Sequence, residues 1–223
     1  MIGSIIEIDY KTAVDFLLPK HYSGRIPTIS KAFGWYDGNE FTVDHLKAVC
    51  TFGKPASPYL CIGVCGAEYS SSVYELNRLC RVDDWSQPLS YFVSICLRRL
   101  KKENWIIVSY SDTGMNHHGY IYQACNFYYT GCTKERTDKY VPDGKHARHY
   151  KESDQGYYRK LRTAKHRYIY FCSTSKRLKK DWREALNYPI LSYPKGDNNP
   201  NYVLGEYMSD ILIPCDTKNF KAN

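Results

Sequence analysis

Hydrophobic and polar positions alternate over Ser4–Tyr10, and this period of two, rich in Ile, predicts a strand. Thr12–Leu18 reads as a helix with Thr12 at its N-cap and Pro19 at its end. Strand spacing returns at Ile29–Tyr36, followed by the Asp37-Gly38-Asn39 turn and a second run at Leu46–Phe52 that Gly53 and Pro55 stop. Leu60–Val64 continues the sheet, with Cys61 and Cys65 in that strand region. Val73–Val82 alternates again. Pro88–Lys101 carries the clearest helical stripe, formed by Leu89, Phe92, Val93, Cys96, Leu97 and Leu100 and closed by cations that suit a helix C-terminus. Trp105–Tyr110 is a continuous apolar run of the buried, parallel kind, and Ser111-Asp112-Thr113-Gly114 breaks it. His118–Asn126 reads as a helix, Tyr128–Lys134 as a strand and Arg167–Cys172 as another. The Pro/Asn/Gly-rich stretch over 190–223 is an irregular C-terminal extension, ordered only at Ile211–Ile213.

A long helix between two strands demands a right-handed crossover, and hence a parallel pair. The expected fold is therefore α/β, a single domain over 1–223 with a mixed central sheet and helices on both faces. A crevice opens at the carboxyl ends of such strands. Glu75, Asn77 and Asp112 all fall near its mouth.

Charge changes the picture. The chain carries a net +8, but residues 131–183 hold 16 Lys/Arg against 6 Asp/Glu. A basic segment on an otherwise near-neutral chain suits a polyanion, with a solvated basic face as the alternative. Tyrosines interleave with the cations there (Tyr140, Tyr150, Tyr157, Tyr158, Tyr168 and Tyr170), as nucleic-acid surfaces require. The second basic cluster, Lys176, Arg177, Lys179, Lys180 and Arg183, reads as non-specific phosphate contact or a solvated face. The nine cysteines include no C-x-x-C pair, which argues for reduced, buried thiols over zinc or a disulfide framework. Neither a signal peptide nor an apolar run long enough for a membrane helix is seen, so the expectation is a cytoplasmic protein without a membrane partner. A homodimer is left open.

Several blocks carry a family likeness. They are His21-Tyr22-Ser23-Gly24, Phe52-Gly53-x-Pro55, Glu75-Leu76-Asn77-Arg78-Leu79 and Ser109-Tyr110-Ser111-Asp112. With them come His118-Gly119-Tyr120-Ile121-Tyr122-Gln123-Ala124-x-Asn126 with Gly131, and Lys145-His146-x-Arg148-His149-Tyr150. The sequence resembles the phage Mom proteins. That resemblance implies an acetyltransferase-like (GNAT) fold and a transferase that modifies adenine in double-stranded DNA. The implied product carries a carbamoylmethyl group on the exocyclic amine and protects phage DNA from host restriction. It also implies iron, an acyl or glycine-derived donor such as acetyl-CoA, and the host cytoplasm. Two alternatives remain at this point: a GNAT-type N-acetyltransferase on a protein or small amine, and a non-catalytic DNA-binding protein.

One departure concerns the donor. GNAT enzymes hold the coenzyme A pyrophosphate on a glycine-rich turn before a helix. Here that stretch, Arg81–Pro88, has no glycine and contains Asp83 and Asp84.

The product constrains the chemistry. Its nitrogen is joined to a CH2 group, so plain acetyl transfer cannot make it, and adenine's delocalised amine needs a base or a metal. The catalytic candidates are Asp112, Tyr122, His118 and Glu75. For the iron that the resemblance implies, the candidate ligands are His21, Tyr22, Asp112 and Tyr122, since imidazole, phenolate and carboxylate suit iron. Each also has a plainer reading: His21 as a helix cap, Tyr22 and Tyr122 as core, Asp112 as a cap of the following helix, and Glu75 as one half of an ion pair with Arg78. Asn77 and Asn126 match the donor–acceptor edge of adenine. Lys145, His146, Arg148, His149, Lys165, His166 and Arg167 are assigned to duplex phosphates, with the target base extruded into the crevice. His117 reads as solvent-exposed filler.

Overall fold

Strand β5 (Trp105–Asp112) alternates between two apolar layers: Trp105 and Ile107 enter one, Ile106 and Val108 the other. The sheet is therefore covered on both faces, as a continuous apolar strand requires. Residues 3–21, 25–140, 158–197 and 211–214 are described in this computed structural model.

Six further strands complete the main sheet: β1 (Ser4–Glu7), β2 (Lys31–Tyr36), β3 (Leu46–Gly53), β4 (Val73–Arg81), β6 (Tyr128–Cys132) and β9 (Lys165–Cys172). Their order is β1-β2-β3-β4-β5-β9-β6. Only β4 and β5 pair in parallel; the other neighbours are antiparallel. The crossover between them is α3 (Leu89–Leu100), whose buried stripe is Phe92, Val93, Cys96, Leu97 and Leu100, with Leu89 at its edge. Each such side chain contributes about 1.5–3 kcal/mol relative to exposure. A second, three-stranded sheet has the order β10-β8-β7, from β7 (Arg136–Lys139), β8 (Tyr158–Arg162) and β10 (Leu212–Pro214).

The helices divide between the faces. α3 and the short α4 (Tyr120–Ala124) cover one face, where Tyr122, Phe127, Tyr168 and Tyr170 form an aromatic layer. α1 (Tyr10–Lys20), α2 (Pro58–Cys65) and α5 (Lys176–Glu184) cover the other. Their apolar contacts form two separate clusters, one under α1 and one under α2 and α5.

The structure departs from the sequence pattern at several elements. Leu60–Val64 belongs to helix α2, because Pro58 opens a turn and Gly66, at φ 86°, closes one. A short apolar run has no period that separates the two outcomes. The N-cap of α1 is Asp9, whose carboxylate accepts from the Thr12 amide at 2.9 Å, and the helix runs through Pro19. Strand β5 continues to Asp112 because β9 pairs with it along its full length. The helix expected from His118 to Asn126 is trimmed at both ends by positive-φ residues, Gly119 at 74° and Asn126 at 60°. A Cβ at Gly119 would lie 2.4 Å from the Tyr168 ring, so glycine is required there twice over. Helix α5 shows no apolar stripe in sequence, because cations surround its single buried anchor, Trp182.

A polar cleft between splayed strands

The β4–β5 ladder ends at Leu76 and Ser109, although β4 runs on to Arg81 and β5 to Asp112. The Ser109 hydroxyl closes the last rung, donating to the Leu76 carbonyl at 2.9 Å. Beyond it the strands separate. Strand β4 is also bulged there: Leu76 faces Phe52 and Arg78 faces Thr51, leaving Asn77 as the extra residue. The Asn77 amide fixes the bulge, accepting from the Thr51 hydroxyl at 2.7 Å and donating to the Thr28 carbonyl at 2.8 Å. Both ends of the amide that sequence assigned to an adenine edge are thus engaged by the fold.

On the face that carries α1 and α2, the opening lies between the two apolar clusters. Alternation from Val73 and Val108 puts Glu75, Tyr110 and Asp112 on that face. Burial raises the Glu75 pKa, while the charges of Arg78 and Lys165 pull it back. Among the described residues no hydrogen bond or ion pair is made to the Glu75 carboxylate. Burial also pushes the Tyr110 phenol well up, and the neighbouring Glu75 charge adds to the effect. His21 enters from the C-terminus of α1. Burial, with the charges of Arg78, His117 and Lys165, holds its pKa at about 3, so the ring is neutral at physiological pH. The charges of Arg78 and Lys165 thus act on both Glu75 and His21.

Asp112 plays the plainer part read for it. It caps the turn Thr113–Met115, accepting from the Gly114 amide at 3.0 Å. The same oxygen accepts from the Thr163 hydroxyl, and the other lies 2.8 Å from the Lys165 ammonium. His117 is a correction: it is half-buried beside Asp112, its amide donates to the Asp112 carbonyl at 3.1 Å, and burial lowers its pKa. Its adjacency to the His118 motif was the available signal.

Other candidates lie elsewhere. Tyr122 packs on Phe127 and Tyr168, and His118 lies near Tyr120 and His166, all on the opposite face from Asp112. His166 is there too, 2.9 Å from the Tyr129 hydroxyl. Asn126 is exposed and turns the chain out of α4. Arg167 is a clamp: it donates to the Thr130 hydroxyl and carbonyl, each at 2.9 Å, and its guanidinium lies 3.3 Å from the Tyr188 ring centroid. Its donors are engaged by groups of the protein itself. Tyr22, Lys145, His146, Arg148 and His149 lie outside the described residues.

The implied iron set is not assembled by the described geometry. Asp112 is committed to Thr163, Gly114 and Lys165, and Tyr122 faces the other side of the sheet. No group of three or more His, Cys, Asp or Glu placed to hold a metal ion occurs among the described residues. The stretch before α3 does not fit a pyrophosphate either. Asp83 and Asp84 are exposed there, and Arg81 donates to the Trp85 carbonyl at 2.7 Å. No helix among the described residues is long and apolar enough to cross a membrane.

A mixed α/β sheet with a polar cleft between its splayed parallel strands is the class that fold and site define. The chain matches the Mom protein family over residues 4–195 and belongs to that family. No curated protein matches it. Among solved structures, Arabidopsis thaliana NAA60 in complex with acetyl-CoA is similar at 10% identity and a TM-score of 0.45, over 75% of this chain and 97% of that one. The same plant protein with a bisubstrate analogue aligns at 11% identity and a TM-score of 0.44, over 77% of this chain and 100% of that one.

Proposed function

We propose that the chain is a transferase that modifies adenine in double-stranded DNA, giving the carbamoylmethyl derivative of the exocyclic amine. Membership of the Mom family supports the substrate. The observation that carries the chemistry is Glu75: a carboxyl of raised pKa, free of ion pairs among the described residues, at the mouth of the splayed strands.

The adenine amine is weakly nucleophilic because its lone pair is delocalised into the ring. A proton acceptor at the amine compensates for this, and it works best when its pKa approaches the working pH. Burial moves Glu75 in that direction. The adenine nitrogen bonds to the CH2 carbon of a glycine-derived donor as the group on that carbon leaves with its electron pair; Glu75 takes the amine proton, and Arg78 and Lys165, whose charges reach both Glu75 and His21, supply positive charge to the leaving group. A stacked base cannot reach such a cleft, so the adenine enters extruded from the duplex.

The test is expression with plasmid DNA, digestion to nucleosides and mass spectrometry. The wild type yields an adenosine of increased mass, and Glu75→Gln yields none while remaining folded. Unaltered adenosine from cells containing folded wild-type protein overturns the proposal.

A further inference from the structure

The second sheet is anchored at the cleft. Thr163, which directly follows β8, donates to Asp112, and the Ala164 carbonyl accepts from the Thr113 hydroxyl at 2.7 Å and its amide at 3.1 Å. On the β7 side, Thr133 exchanges hydrogen bonds with the Lys165 backbone, each at 2.9 Å. The β7–β8 ribbon therefore rises from the same corner that holds Asp112 and Lys165.

Its composition is lopsided. Arg136–Asp138 and Tyr158–Arg162 contain four cations, Arg136, Arg159, Lys160 and Arg162, and one acid, Asp138. The register sets Arg136 directly opposite Arg162 and Asp138 opposite Lys160, so these four share one face. Arg162 lies 2.7 Å and Arg136 3.7 Å from the single Asp138 carboxylate. Like charges directly opposed on a ribbon are destabilising. Among the described residues that face carries one carboxylate and three cations. On the other face Arg159 donates to the Thr137 hydroxyl at 2.7 Å and carbonyl at 2.9 Å, partners that leave its charge uncancelled.

We infer that the β7–β8 ribbon is a docking arm for duplex DNA, with Arg136, Lys160 and Arg162 on backbone phosphates beside the base taken into the cleft. This rests on the DNA reading given above. Cations on its face neutralise backbone phosphates and release counterions. Only two residues, Thr163 and Ala164, separate Arg162 from Lys165, so the two Cα atoms lie at most about 11 Å apart. Phosphates held by the ribbon are therefore next to the cleft. The Asp112–Thr163 contact is one of the bonds that tie the arm to the cleft.

The test measures binding of the full chain to a short adenine-containing duplex across a salt series, with nucleoside mass spectrometry on the same variants. Arg136→Ser with Arg162→Ser should flatten the slope of log affinity against log salt by about 2. Arg136→Lys with Arg162→Lys should restore most of it. The exposed α3 pair, Arg98→Ser with Arg99→Ser, is a charge-matched control that should keep the wild-type slope. Thermal melting establishes that each variant is folded. A wild-type slope in the folded Arg136→Ser/Arg162→Ser variant overturns the arm, and adenine modification by the wild type in that case leaves the functional proposal standing. Flattening of the slope by the double variant, with unmodified adenine in wild-type cells, supports the arm and overturns the chemistry instead. A wild type that does not bind duplex DNA overturns both.

Discussion

Lys165 and Asp112 face each other across β9 and β5, with the ammonium 2.8 Å from the carboxylate. The pair has two consequences. It removes Asp112 from the list of free bases, and it holds a cation where Glu75 and His21 both sense it. Asp112 is thus a positioning residue for the cleft and for the ribbon that leaves it.

Removing that carboxylate should weaken the corner as a whole. Asp112→Ala leaves the Gly114 amide and the Thr163 hydroxyl without their acceptor and is expected to cost about 1–3 kcal/mol, discounted because the Lys165 side chain is 44% exposed. Asp112→Asn keeps an acceptor and should cost less. Urea unfolding reads this as a lower midpoint at unchanged slope.

Glu75→Gln should separate stability from activity. A carboxyl whose folded pKa lies above its unfolded value of 4.5 binds more protons in the native state, so it lowers stability as pH rises through that window. The glutamine variant escapes this penalty and should be at least as stable as the wild type at neutral pH, while adenine modification is lost. The acid limb of the wild-type activity profile should lie above the usual carboxylate range.

His21 predicts an acid-sensitive fold. Its pKa falls from 6.5 to about 3 on folding, so the unfolded chain binds the extra proton between those values. Its contribution to stability is complete above pH 6.5 and is lost as pH falls toward 3. His21→Gln should flatten the stability–pH curve in that window, measured by chemical unfolding at a series of pH values.

Arg167 should behave as structure, in contrast to the ribbon arginines. Arg167→Met breaks the clamp on Thr130 and the contact with the Tyr188 ring, for an expected loss of about 1–3 kcal/mol. Its salt dependence of DNA binding should match the wild type. A flattened slope in a variant that melts normally would return Arg167 to the DNA surface.

The local pattern of the sequence was enough for α3, for the parallel β4–β5 pair that its crossover demands, and for Glu75 at the mouth of the crevice. Those features depend on side-chain period and chain connectivity, and both are written in consecutive residues. What the sequence could not reveal was the partner of each polar group. Strand β9 inserts between β5 and β6, and that choice alone puts Lys165 on Asp112, Arg167 on Thr130, and Tyr122 and His118 across the sheet from the cleft. The helical state of Pro58–Cys65 and the ribbon at Arg136–Lys139 were equally out of reach, because short segments take their conformation from what packs or pairs with them. Period is a local property of a chain, whereas pairing between distant residues is set by a sheet order that many sequences of the same pattern could have adopted.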